Sequence, residues 1–188
     1  AHYDYISKSI SIPICLYHVP TRTSQTLTPQ VFYEILAYVP KILAIKEASG
    51  NISLFSQTFI KCNIESHFTH TISLLSGDDF TYLASLAVGA KGCISVISNL
   101  FPKEMILLTE YFNKGQIHKA LQIHNALMPS IEALFCETNP GPLKAALHIM
   151  GLAKNNLRLP LAQVTENNYK LINNSIYKTK NYLKNLSL

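Results

Sequence analysis

Charged residues are scarce in this chain, at 14% of 188 residues against about a quarter in an average soluble domain. A surface so poor in charge must be covered by Asn, Gln, Ser, Thr and His, and by a partner subunit, so oligomerisation is one expectation. No apolar run approaches the roughly 18 residues of a membrane span, and no basic-then-apolar leader opens the sequence. The expectation is a soluble, cytoplasmic protein. No C-x-x-C pair occurs. Cys15, Cys62, Cys93 and Cys136 stand singly, which favours reduced thiols over a disulfide or metal framework. Internal repeats and low-complexity segments are also lacking. Acidic residues are absent from 167 to 188, which holds Lys170, Lys178, Lys180 and Lys184, so the formal net charge of +5 sits largely there and the body is nearly balanced. A solvated helix face is the default for such a segment, and without interleaved aromatics it does not read as a nucleic-acid or membrane contact.

What is present is core-forming material. Hydrophobic residues reach 48%, enough for one domain, or one domain with an appendage. The stretch that organises the rest is Ile42 to Gly50, Ile-Leu-Ala-Ile-Lys-Glu-Ala-Ser-Gly. A strand apolar at consecutive positions is expected to be buried on both faces, and its last residue, Lys46, to surface where the strand emerges. In parallel α/β folds ligands bind at that emergence. An ammonium held against Ile42, Ala44 and Ile45 is partly desolvated, which disfavours its charged form and leaves an amine able to attack a carbonyl. The alternative is a lysine that snorkels at a strand end or pairs with Glu47.

Taken in order, residues 1–10 carry Tyr3, Ile6 and Ile10 at helical spacing and read as the end of a helix, as though the chain began in the middle of something. Pro13 opens a strand at Ile14–Tyr17, and 18–23 read as a loop kept from helicity by proline and threonine. Thr28-Pro29 caps and starts a helix that stops before Pro40. The second strand runs from Ile42 to Lys46, and a helix follows through Ile52, Phe55 and Phe59. A third strand, Thr71–Leu75, leads into Ser76-Gly77-Asp78-Asp79 and a helix over 80–88. Helix capping is the simpler account of those carboxylates, whereas Gly77 allows backbone groups to approach a ligand closely. The fourth strand is predicted at Gly92–Ile97. Strand and helix alternate four times, as in a parallel sheet with helical crossovers. Four helices then follow, at 102–114, 116–135, 142–150 and 165–183, so the expected division is a barrel part over 1–115 and a helical extension over 116–188.

Several stretches, in order and spacing, resemble one family. They are Tyr17-His18-Val19-Pro20-Thr21-Arg22-Thr23, Ile45-Lys46-Glu47-Ala48-Ser49-Gly50, Leu75-Ser76-Gly77-Asp78-Asp79 and Gly92-Cys93-Ile94-Ser95-Val96, with Asn139-Pro140-Gly141-Pro142-Leu143-Lys144 and Leu157-Arg158-Leu159-Pro160 further on. The chain resembles the dihydrodipicolinate synthase and N-acetylneuraminate lyase group of Schiff-base (β/α)8 barrels, and Thr21-Arg22 resembles its synthase branch. The resemblance implies an α/β barrel fold and condensation of pyruvate with aspartate 4-semialdehyde on the way to lysine and diaminopimelate, with no cofactor and no metal. It implies that Lys46 forms the imine, Tyr17 shuttles protons, Arg22 binds the semialdehyde carboxylate, and Gly77 and Ile94 touch substrate through the backbone. Without the motif, Tyr17 would read as a core aromatic with a satisfied hydroxyl.

Departures accompany the resemblance. His18 stands where the family commonly has asparagine, Ser24 where glycine is usual, and Gly141 where isoleucine is common. The chain is longer than typical members near 61–70. A complete barrel takes about 250 residues, and only four strands, matching the second half, are legible. The Gly-Thr-Thr-Gly-Glu segment of the family's first half has no counterpart. Two readings follow: the catalytic half of a pyruvate-dependent synthase or related lyase, or a non-catalytic half-barrel that assembles with a second copy or with a complementary N-terminal half.

Overall fold

Four short apolar runs pair as parallel strands, joined by three crossovers that each return the chain to the same sheet end. A computed structural model describes residues 1–186; Ser187 and Leu188, the end of the acid-free segment, lie outside the described residues. The chain divides into two units, Ala1–Ile94 and Ser95–Leu188.

In the first unit, α1 (His2–Ser9) precedes β1 (Ile14–His18), a helical turn α2 (Pro20–Thr23), α3 (Pro29–Tyr38), β2 (Ile42–Glu47), α4 (Ile52–Phe59), β3 (Ser73–Ser76), α5 (Tyr82–Ala87) and β4 (Gly92–Cys93). The sheet order is β1-β2-β3-β4, all parallel. Register aligns Tyr17 with Lys46, Lys46 with Leu75 and Leu75 with Gly92; one step on, it aligns His18 with Glu47, Glu47 with Ser76 and Ser76 with Cys93.

Because side chains alternate across a strand, that register sorts the sheet into two faces. One carries Leu16, Ile45 and Leu74, all fully buried, and beyond them the buried polar residues His18, Glu47 and Ser76. Each fully buried leucine or isoleucine stabilises the fold by about 1.5–3 kcal/mol. The opposite face carries Cys15, Tyr17, Ala44, Lys46 and Leu75, and there Cys15 and Tyr17 are exposed. The strands are therefore buried on one face and open on the other, not buried on both as their composition suggested. Four strands do not close a barrel, and among the described residues no opposing strand covers the open face.

Several element ends differ from expectation. β2 runs one residue further, through Glu47, and β4 is only Gly92–Cys93 instead of reaching Ile97. Beyond Ile94 the chain enters a 3-10 turn at Ile97–Asn99, where the Ser98 N–H donates to Ser95 Oγ (3.0 Å) and the Ser98 hydroxyl donates to the Ser95 carbonyl (3.1 Å). Serine hydroxyls that bond nearby backbone compete with a ladder. The segment after His18 is also not purely loop. Pro20 sits at the first position of α2, where its missing N–H costs nothing, and Ser24 ends the turn at φ +54, its N–H bonded to the Pro20 carbonyl.

Ser24 thus holds the left-handed conformation that favours glycine, the residue usual in the related motif. Ser24→Gly is expected to raise stability by about 1 kcal/mol, read as an increased denaturant midpoint at unchanged slope.

The cap expected at Thr28 forms, and Asn51 caps the next helix in the same way. Thr28 and Asn51 accept the N–H groups of Val31 and Leu54 at 3.3 and 3.0 Å. The stretch expected to carry extra length starts as a π-helical turn, Ile60–Ile64. Asn63 within it pairs with both backbone groups of Ile72, accepting its N–H at 2.7 Å and donating to its carbonyl at 3.1 Å. That pairing ties the crossover to the start of β3.

The second unit is helical: α6 (Pro102–Asn113), α7 (Ile117–Leu134), α8 (Gly141–Ile149) and α9 (Glu166–Lys184). Gly115 and Gly151, at φ +73 and +72, follow α6 and α8 as their sequence positions implied. A buried hydrogen bond from the Ser130 hydroxyl to Thr179 Oγ1 (2.8 Å) joins α7 to α9. Glu137 gathers the Asn168 amide (2.7 Å) and the Thr165 N–H (3.0 Å), and those bonds hold its carboxyl below the usual range. No helix among the described residues is long and apolar enough to cross a membrane.

Candidate active site

Lys46 and Tyr17 are the penultimate residues of neighbouring strands, aligned across the ladder and directed to the open face. Lys46 Nζ lies 4.1 Å from the Tyr17 ring centroid, over the face of the ring, within the range of a cation–π contact. The Tyr17 side is 49% exposed, so it is not a core aromatic, and a reactant has access to it. Of the three apolar residues expected around the amine, Ala44 shares its face; Ile45 is on the opposite, buried face, and Ile42 lies beyond a register shift at the start of β1.

The ion pair between Lys46 and Glu47 does not form. Glu47 points to the buried face, where Oε1 accepts from His18 Nδ1 and from the Ser49 N–H, both at 2.9 Å. Lys46, half-buried, is left beside the Tyr17 phenol ring, an arrangement compatible with a nucleophilic amine.

Gly77 is positioned by the Lys46 stem. Its N–H donates to the Glu47 carbonyl (2.6 Å). A Cβ built on Gly77 would lie 2.6 Å from Ala48 Cβ, 2.9 Å from Lys46 Cε and 3.1 Å from Lys46 Cγ. Ile94, on the neighbouring strand end, is 45% exposed and gives its N–H to the Ser76 carbonyl at 2.8 Å. With both N–H groups engaged, what Gly77 and Ile94 can offer a ligand through the backbone is a carbonyl oxygen. Arg22 is exposed on α2, the turn immediately after β1.

Asp78 behaves as a capping residue, accepting the Thr81 N–H and hydroxyl at 2.9 and 2.6 Å. Asp79 is buried instead. Its charge adds to the effect of burial in pushing the Cys93 thiol up to about 11, so Cys93 is a poor nucleophile at neutral pH. Burial likewise raises Cys62, and all four cysteines are free thiols. Among the described residues no group of three or more His, Cys, Asp or Glu side chains could hold a metal.

A family model described as the dihydrodipicolinate synthetase family matches residues 1–179. The chain belongs to that family. It is 38% identical over its whole length to a 4-hydroxy-tetrahydrodipicolinate synthase of Methanococcus maripaludis, covering 60% of that protein. It is 43% identical over 89% of its length to the synthase of Thermodesulfovibrio yellowstonii, covering 55% of it. A crystal structure of dihydrodipicolinate synthase from Thermotoga maritima superposes with TM-score 0.89 at 35% identity, over 95% of this chain and 60% of that one. The chain therefore spans roughly 55–60% of the length of the curated relatives it matches. Within the family, the parallel sheet and its helices form part of a (β/α) barrel.

Two features of the site were not read from sequence: the His18–Glu47 pair and the buried Asp79. The usable signal for the first was Glu47 itself, a carboxylate one residue past the lysine and therefore on the opposite, buried face.

Proposed function

We propose that this chain carries the catalytic half of a 4-hydroxy-tetrahydrodipicolinate synthase. The observation that carries the reading is the amine of Lys46 at 4.1 Å from the Tyr17 ring on adjacent strand ends of an open sheet face. In this reading the Lys46 amine attacks the ketone carbon of pyruvate, and loss of water leaves the imine. A methyl proton leaves to form the enamine, whose carbon bonds to the aldehyde carbon of aspartate 4-semialdehyde. The substrate's own amine then attacks the imine carbon, closes the ring and expels Lys46. The Tyr17 phenol serves the proton transfers, and Arg22 holds the semialdehyde carboxylate, a task suited to a planar fork of donors. Gly77 and Ile94 line the site with backbone carbonyls. Residues 1–115 supply the barrel units and 116–188 the helical extension.

A second reading is favoured by the open face, where Tyr17 and Ile94 are 49% and 45% exposed. Such a surface is one that a second copy or a complementary N-terminal half covers, and the chain then acts only in that assembly. One experiment addresses both. The purified chain is incubated with pyruvate, reduced with borohydride and mapped by mass spectrometry. A reduced adduct on Lys46 is the expected result. A folded chain that yields none overturns the claim that this half forms the imine unaided and leaves the assembly reading.

A further inference from the structure

The geometry points to His18 as a positioning residue that clamps the loop bearing Arg22 onto the end of β1, and this inference rests on the functional reading of Arg22 above. His18 is 3% exposed, on the face of the sheet opposite Lys46 and Tyr17. Both ring nitrogens are engaged: Nδ1 lies 2.9 Å from Glu47 Oε1, and Nε2 lies 3.1 Å from the Leu27 N–H. A backbone N–H can only donate, so Nε2 is an acceptor and the proton sits on Nδ1, which donates to the carboxylate. A proton on Nε2, in the other tautomer or in the imidazolium, would set N–H against N–H. The edge-on contact of the ring with Phe32, 5.2 Å between centroids at 89°, leaves it little freedom to turn away.

The consequence is topological. The backbone leaves β1 at His18, makes the Pro20–Thr23 turn that carries Arg22, and returns at Leu27, where the side chain of the same His18 takes its N–H. One imidazole closes the loop 19–26 into a ring. Inside it the Arg22 and Thr23 N–H groups bond to the Val19 carbonyl, and Ser24 is held left-handed at φ +54. On the other side Glu47, through the same oxygen, takes the Ser49 N–H and so fixes the turn after β2. His18 and Glu47 therefore tie the loops following both catalytic strands to a single buried hydrogen-bonded pair, one residue beyond Tyr17 and Lys46. Asparagine at position 18, the residue common in related motifs, has its amide at the δ position; it can serve Glu47 but does not extend to Leu27. Glutamine has its amide at the ε position and can serve Leu27.

That difference provides the test. His18→Asn and His18→Gln are compared with the parent chain by amide hydrogen exchange over 19–27, by the rate of pyruvate trapping at Lys46, and, in the catalytically competent form, by KM for aspartate 4-semialdehyde. The clamp predicts that His18→Asn loses protection at Leu27 and raises that KM about tenfold, the factor associated with one hydrogen bond, while pyruvate trapping stays within about twofold. His18→Gln restores the Leu27 protection and the KM. Unchanged Leu27 exchange in His18→Asn, or a parallel loss of KM and trapping in both variants, overturns the inference. If the parent chain traps no pyruvate, the claim that this half forms the imine unaided fails, and the exchange arm still decides whether His18 holds the loop.

Discussion

Lys46→Ala is expected to abolish pyruvate trapping completely, with no adduct moving to another lysine. The reason is local. Among the sixteen Lys and Arg residues of the chain, Lys46 is set at the end of a strand, over the ring of Tyr17, with its stem against Gly77. A guanidinium cannot form the imine because it stays protonated, so Lys46→Arg is expected to be equally inactive although it keeps the charge. Since Lys46 is only half-buried and makes no ion pair with Glu47, neither substitution is expected to change stability by more than about 0.5 kcal/mol. Intact mass after borohydride reduction, beside a denaturant midpoint, separates loss of chemistry from loss of fold. Trapping that persists in Lys46→Ala would move the nucleophile elsewhere.

Gly77→Ala is expected to have the second largest effect, through the same lysine. The added methyl would fall 2.6 Å from Ala48 Cβ and 2.9 Å from Lys46 Cε. The Lys46 stem can rotate away, but Ala48 Cβ is fixed to the backbone, and Gly77 is held by its own N–H to the Glu47 carbonyl. Relief therefore requires a backbone shift at the ends of β2 and β3 together with a new lysine rotamer. Overpacking of this kind costs about 1–3 kcal/mol, and displacing the amine from its place beside Tyr17 is expected to slow trapping at least about tenfold, since misplacement by about 1 Å costs up to a hundredfold. Both are measured on one sample, by thermal shift and by the time course of adduct formation. A variant that traps at the parental rate would mean that the amine does not depend on this close approach.

How much of this was legible before the fold was known varies with the residue. Caps depend on local chemistry, so Thr28 was readable as a helix start, and the helix expected from Thr165 begins there, with Thr165 Oγ1 accepting the Asn168 N–H at 3.4 Å. Gly115 and Gly151 were readable as helix ends for the same reason. The β4 end was not, because Gly92 to Ile97 is apolar enough for a strand and the interruption comes from the hydroxyls of Ser95 and Ser98 bonding within their own turn. The helical turn at Pro20–Thr23 is not legible locally, because proline disfavours a helix interior, although at a first helical position it is compatible with one.

The sequence by itself determined the family, the parallel alternation of strands and helices, and the placing of Tyr17 and Lys46 at strand ends, because these follow from local periodicity and from motifs in register. Only the tertiary structure decided which way the residues at those ends face. A run such as Ile-Leu-Ala-Ile-Lys-Glu has too little polar contrast to mark its two faces, so composition suggested burial on both, and pairing of Lys46 with its neighbour Glu47 remained open. Strand register settled it. Lys46 and Tyr17 share the open face, while Glu47 and His18 share the buried one and bind each other across residues 29 apart in sequence. Alternation is a property of one strand, whereas the partner on the next strand is set by how the crossover packs, and that is decided in three dimensions.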